Sequence, residues 1–179
     1  MSVSSYRNIW PTLGARVYVD PSAVVIGRVT IGDDASIWPT AVVRGDVNSI
    51  DIGARTSIQD GSVLHVTHDG PYAPGGRALI IGSDVTVGHR VILHACTIGA
   101  ACLVGMGSIL LDNVVTEDFV MIGAGSVVTP GKRLERGGLY VGSPARRVRE
   151  LNEREIEFLS YSAKHYVKLK DEYLQKLDS

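Results

Sequence analysis

The feature that most constrains this chain is a period of six. From Leu13 an aliphatic residue recurs every sixth position, often followed by glycine or a polar residue, with a small residue four places after it. The units read LGARVY, VDPSAV, VIGRVT, IGDDAS, IWPTAV and VRGDVN; after three extra residues, Ser49 to Asp51, they resume as IGARTS, IQDGSV and LHVTHD. A longer interruption, residues 70–80, contains GPYAPGG and reads as a surface loop. IGSDVT, VGHRVI, a shortened LHACT, IGAACL, VGMGSI, LLDNVV, TEDFVM and IGAGSV follow, and the pattern fades near VTPGKR. A fixed short period marks a solenoid, and six-residue units build a parallel β-helix in which each unit is one short strand and a corner. Three units make one coil, and the aliphatic first positions stack into a narrow dry prism. The fifth positions point into crowded corners, which accounts for Ala23, Val29, Ala35, Ala41, Thr56, Ser62, Val85, Val91, Cys102, Ser108 and Ser126. A sandwich of short strands would instead show turns every ~8–12 residues and alternation at period two.

The expected organisation is one domain: a repeat region over residues 1–138 and a connector with a C-terminal helix over 139–179. Asn152 can cap that helix, with Glu155 three residues on and Leu151 and Ile156 as a hydrophobic staple. Ile156, Leu159, Ala163, Tyr166, Tyr173 and Leu177 form one apolar face, which calls for a flank of the β-helix, its own or a neighbour's. A net charge of −1 offers no field for nucleic acid or an anionic membrane. No run approaches the ~18 apolar residues that cross a bilayer, and the opening MSVSSYRNIWPTLG lacks the form of a signal peptide, so a cytoplasmic protein is expected. The two cysteines, Cys96 and Cys102, then read as packing residues.

Four of the 5 histidines lie between Gln59 and Gly99, and the repeat places them. With the three faces labelled in order from VDPSAV, His65 and His94 are second residues of units on the second face. Their separation is one coil plus the eleven-residue interruption, so they stack about 4.8 Å apart. Arg44 holds the slot below His65. His89 falls around a corner on the first face, with Asp60 in the slot below it. One prism cannot easily bring all three histidines to a point. Three prisms related by rotation would set the first face of one against the second face of the next. On spacing alone, a shared metal site and hydrogen-bonded surface histidines both remain open.

RGD at Arg44 to Asp46, IQDG at Ile58 to Gly61, LHVTH at Leu64 to His68 and VGHRVILH at Val87 to His94 resemble the γ-class carbonic anhydrase-like family of trimeric, left-handed β-helices. The likeness runs along nearly the whole chain and is greatest to the small bacterial members. It implies an all-β, left-handed parallel β-helix of hexapeptide repeats with the C-terminal α-helix packed on its flank. It also implies a homotrimer whose metal sites lie at subunit interfaces, with Zn2+ (Fe2+ or Co2+ being chemically possible) held by His65 and His94 of one subunit and His89 of its neighbour. Arg44 and Asp60 would pair across the interface and Asp46 would support them. Gln59 would hydrogen-bond the metal-bound water, and Tyr166 matches a tyrosine near the metal in some members. The substrate so implied is carbon dioxide, hydrated to bicarbonate by a lyase.

The chain departs from the archetypal enzyme of that family where protons are removed. Val47 stands in place of a glutamate, and the acid-rich loop after the first ligand is reduced to His68 and Asp69. GSPARRVR also resembles the tail of hexapeptide acyltransferases. Two other functions therefore stand beside the lyase: an acyl-CoA transferase or thioesterase, and a catalytically weak metal-binding trimeric scaffold. Arg146, Arg147 and Arg149 read as a solvated basic face.

Overall fold

A computed structural model describes residues 2–177, with side chains through Gln175, and shows a parallel β-helix with one long C-terminal helix. Leu177, expected on the apolar face of that helix, has its side chain outside the described residues. The first face is an 8-stranded sheet. It runs through Tyr18–Val19, Ser36–Ile37, Ser57–Ile58, Thr86–Val87, Leu103–Val104 and Met121–Ile122. The second and third faces belong to one continuous sheet, because the long strands Val24–Ile31 and Val42–Ile52 turn the corner between them. Val63–His65, Ile92–His94, Ile109–Leu110 and Val127–Val128 complete the second face; Leu79–Ile81, Thr97–Ile98, Val115–Thr116 and Arg133–Leu134 complete the third. Register follows the hexapeptide count, with Ile37 on Ile58, Val87 on Val104 and Leu93 on Leu64.

First-position residues such as Ile31, Ile37, Ile58, Leu64, Leu93 and Leu110 are at most 1% exposed, and so are the fifth-position residues Ala35, Thr56, Ser62, Val91 and Ser108. The corner hydroxyls remain satisfied in this dry interior: Thr56 donates to the Gly82 carbonyl at 2.8 Å and Ser62 to the Gly88 carbonyl at 2.9 Å. Turning each corner requires a left-handed backbone. At the corner after the third face, Arg16, Asp34, Arg55, Asp84, Ala101 and Phe119 all have φ between 51° and 61°. That region is costly for residues with a Cβ. A ladder offsets the cost, since Asp34, Arg55, Asp84, Ala101 and Phe119 each donate a backbone N–H to the coil below at 2.8–3.0 Å. The glycines beside this corner answer a different need. A Cβ on Gly53 would stand 2.4 Å from the carbonyl carbon of Gly82, so only hydrogen allows the coils to close.

Both interruptions sit slightly apart from where the repeat count puts them. Ile50 pairs in register with Val29 and is fully buried, so the three extra residues bulge between Gly45 and Ile50 rather than over Ser49 to Asp51. Leu79 pairs with Ile50 and is likewise buried, so the inserted loop ends before Leu79, and Thr67 and Arg77 close its neck. In both cases an inward aliphatic residue takes the fifth slot, a substitution that counting from first positions does not reveal. His68, counted into that slot, is exposed instead.

The expected connector is a β-hairpin. Gly138–Gly142 and Ala145–Glu150 pair antiparallel through a cis Ser143–Pro144 bond and extend the first face beyond the last coil. Helix α1, Glu153–Leu177, then returns along the same chain's first face over the strands from Tyr18 to Val87. Asn152 accepts from the Glu155 N–H at 3.0 Å while the Glu155 carboxylate accepts from the Asn152 N–H at 2.9 Å, a reciprocal capping box. The buried face is centred on Leu159, Ser162, Ala163 and Lys170; Ile156 and Tyr173, expected on it, are 38% and 39% exposed. Lys170 was hidden from an apolar periodicity because it is charged. Its ammonium is wholly buried between Asp34 at 2.7 Å and Asp171 at 2.6 Å. Among the described residues no helix is long and apolar enough to cross a membrane.

Candidate metal centre

His65 ends the strand Val63–His65 and His94 ends the strand directly above it, and the two are paired residues in the ladder. The second position of a second-face unit points outward, so both imidazoles leave the prism in one column, on adjacent coils. His65 Nδ1 and His94 Nε2 face each other at 3.3 Å. The remaining nitrogens are engaged elsewhere. His65 Nε2 lies 3.0 Å from Asp46 Oδ1, and His94 Nδ1 lies 2.6 Å from Asp112 Oδ1. Each carboxylate can only accept, which places the imidazole protons on those nitrogens and leaves lone pairs on the two that face each other.

Two lone pairs pointed at one spot repel unless a cation stands there. Ligand nitrogens ~2.0–2.1 Å from one tetrahedral zinc stand about 3.3–3.4 Å apart, and a histidine ligand usually donates its other N–H to a carboxylate or carbonyl. The pair fits half of a zinc site. Burial pushes the His65 pKa down, aided by Arg44 and His94 and opposed by Asp46, which favours the neutral ring that a ligand must be. For Asp46, burial acts upward, but hydrogen bonds from His65 and Arg44 hold the carboxyl below its ordinary value. Burial also acts upward on Asp112 and is overridden by hydrogen bonds from Thr67 and His94.

Gln59, Asp60 and His89 gather on the first face, with Tyr166 on the helix above them, while Arg44 stays on the second face below His65. Asp60 lies 2.9 Å from His89 Nδ1, as their shared column requires, and His89 is 47% exposed by its side chain. Arg44 pairs with Asp46 within the chain. Gln59 is 4% exposed and lines the same cleft as Tyr166. Burial raises the Tyr166 pKa, the Asp60 carboxylate adds to this, and the Gln59 side chain works against it. Gln59, His89 and Tyr166 line a cleft of about 240 Å³ between the first face and α1, walled by Leu103, Met106 and Phe158. Among the described residues no three histidine, cysteine, aspartate or glutamate side chains of one chain converge as a metal-binding group. His89 stands on a different face from the His65–His94 pair.

Sequence reasoning missed Asp112 and Thr67. Asp112 is the third residue of LLDNVV; the shortened LHACT makes the intervening coil seventeen residues, so the slot directly above His94 is Leu111 and Asp112 stands one position past it, where slot counting does not look. Cys96 and Cys102 are 2% exposed, and burial pushes the Cys96 thiol up to about 12, so both pack as expected. Arg147 pairs with Glu135 and Glu150, and Arg149 with Glu155.

Comparison with known proteins agrees with this architecture. The family described as bacterial transferase hexapeptide (six repeats) matches residues 11–45. Protein YrdA of Escherichia coli (strain K12) is 60% identical over 171 residues, covering 96% of this chain and 93% of that protein. The mitochondrial gamma carbonic anhydrase 2 of Arabidopsis thaliana is 44% identical over 161 residues, which are 89% of this chain but 57% of that protein. A crystal structure of a hexapeptide transferase family protein from Anaplasma phagocytophilum superposes with a TM-score of 0.87 at 40% identity, covering 96% of this chain and 97% of that one.

Proposed function

The chain belongs to the γ-carbonic-anhydrase-like family of hexapeptide-repeat proteins, and from that premise we propose that it is a homotrimeric metalloprotein hydrating carbon dioxide to bicarbonate. The observation that carries this reading is the His65–His94 pair, whose facing nitrogens stand 3.3 Å apart while carboxylates take both outer ones. His65 and His94 of one subunit and His89 of the next would hold the ion, zinc by preference, with iron(II) or cobalt as chemical equivalents. Three neutral imidazoles would leave a bound zinc its double charge, and the chemistry such an ion would supply is water made acidic enough, with a pKa near 7, to serve as nucleophile toward carbon dioxide.

The chain's own residues then divide the remaining tasks. Gln59, in the cleft with Tyr166, presents an amide that orients water beside His89. Asp60 holds the His89 ring, and Arg44, anchored by Asp46, would meet a neighbour's Asp60. Assembly is supported by the outer wall of the second face, where Val24, Val42, Val63, Ile92, Ile109 and Val127 form an aliphatic column; Val24, Val63 and Ile92 are 42%, 40% and 39% exposed. Such a column beside the histidines suits a three-fold interface, the usual state of this family.

The cleft of about 240 Å³ favours one second reading, since Leu103, Met106 and Phe158 enclose more apolar space than a triatomic substrate uses. That reading is acyl-CoA transfer or thioester hydrolysis. Elemental analysis of untagged protein prepared without oxygen, run beside carbon dioxide hydration and coenzyme A binding on the same sample, separates the two. The expected result is about one metal per chain, lost in His89→Ala together with hydration. Metal-free protein with no hydration would overturn the lyase reading, and coenzyme A affinity would then favour the second.

A further inference from the structure

The Asp112 carboxylate, which takes the outer nitrogen of His94, is itself bound at both oxygens. One accepts from His94 Nδ1 at 2.6 Å, and the other accepts from the Thr67 hydroxyl in a short hydrogen bond. Thr67 is not a free surface residue either. Its N–H and C=O both pair with Arg77, at 3.0 and 2.9 Å, across the neck of the inserted loop. Asn48 Nδ2 donates to the same Thr67 carbonyl at 3.3 Å. Gly76 lies so close that a Cβ there would stand 2.6 Å from the Thr67 oxygen. The hydroxyl is thus held by a closed neck and delivers one fixed hydrogen bond to Asp112.

An unsupported His94 ring could carry its proton on either nitrogen, and only one choice leaves Nε2 able to bind an ion. We propose that Asp112 and Thr67 are positioning residues for His94. Asp112 selects the Nδ1–H tautomer and fixes the ring plane, while Thr67 orients Asp112 and so couples the ligand pair to closure of the inserted loop. The inference rests on the metal-site reading above and extends it to two residues outside the shared histidines. The coupling is reciprocal: a closed neck raises metal affinity, and bound metal stabilises the neck.

The test uses the full chain labelled with ¹⁵N and begins without metal, where the His94 tautomer is read directly by NMR. Wild-type protein shows the Nδ1–H form, and Asp112→Ala shifts it toward Nε2–H. Zinc affinity, measured by chelator competition, falls about 10–100-fold in Asp112→Ala. Asp112→Asn, whose amide oxygen still accepts, keeps the tautomer, moves the Nδ1–H proton resonance upfield and recovers part of the affinity. In Thr67→Val, zinc no longer slows hydrogen exchange at the Thr67 and Arg77 amides. An unchanged tautomer in Asp112→Ala, or an unchanged zinc affinity, overturns the proposal. Should Asp112→Ala fail to fold, a fixed Nδ1–H resonance in Asp112→Asn overturns it instead. Wild-type protein that takes up no zinc would refute the metal-site reading, and the tautomer result would still decide the role of Asp112.

Discussion

At the scale of single residues the repeat assigns each side chain a slot, and the slot decides what it can do. Ser62 shows how strictly. It occupies a fifth position with no exposure, donates to the Gly88 carbonyl at 2.9 Å and accepts from the Val91 N–H at 3.2 Å. Ser62→Ala removes a partner from two buried backbone groups and is expected to cost about 1–3 kcal/mol. Thermal unfolding at fixed chain concentration checks this; a melting temperature equal to wild type would show that the corner hydroxyls only fill space. Counting slots also placed His94 over His65 and His89 over Asp60, since a parallel register leaves no freedom along the strand. It did not disclose which nitrogen of each ring faces the other. Ring orientation depends on Asp46 and Asp112, which reach the rings from a bulge and from the next coil.

At the scale of elements, the helix and hairpin were read with unequal success for one reason. The capping box is local, so Asn152 and Glu155 announced the start of α1. Docking is not local. The helix is held by Lys170, whose partner Asp34 lies in a corner of an early coil, and a charge inside a helical face does not register in an apolar period. The hairpin at Gly138–Gly142 and Ala145–Glu150 was similarly obscured because arginines line its outer strand. The Lys170 ammonium holds the Asp34 carboxyl below its ordinary value; burial opposes this and Arg16 assists. A depressed carboxyl contributes stability that is complete above its unfolded pKa of about 3.9 and disappears as pH falls through the folded value. Below about pH 4, therefore, α1 should loosen before the coils do. Near-UV circular dichroism from Trp38, Tyr166 and Tyr173, which pack together between helix and first face, should be lost ahead of the far-UV signal. Lys170→Met should shrink that early acid loss, because Asp34 is then no longer held far below its ordinary value. Coincident loss of both signals in wild type would contradict this role for the Lys170–Asp34 pair.

At the scale of the whole molecule, a prism is a stiff ruler that sets residues on its faces at fixed heights but cannot turn one face toward another. This geometry separates His89 from His65 and His94 and leaves an aliphatic column uncovered on the second face. Both features are explained together if neighbouring prisms meet there. The period made the fold legible almost throughout, because each coil repeats the same demands for an aliphatic side chain, a small corner residue and a tight turn. The candidate site was legible only as columns, since the described residues of one prism do not bring its two faces to a common point.

The central claim, that each site is shared between subunits, is tested most directly by complementation. His89→Ala and His94→Ala chains, each unable to complete a site alone, are unfolded, mixed in equal amounts and reassembled, and metal per chain is measured beside each variant reassembled alone. Random three-fold assembly would place an intact His65–His94 pair against an intact His89 at about one interface in four. The account predicts metal near a quarter of the wild-type value in the mixture and almost none in either variant alone. No recovery in correctly reassembled mixed trimers, or full metal content in the His89→Ala protein, would contradict it.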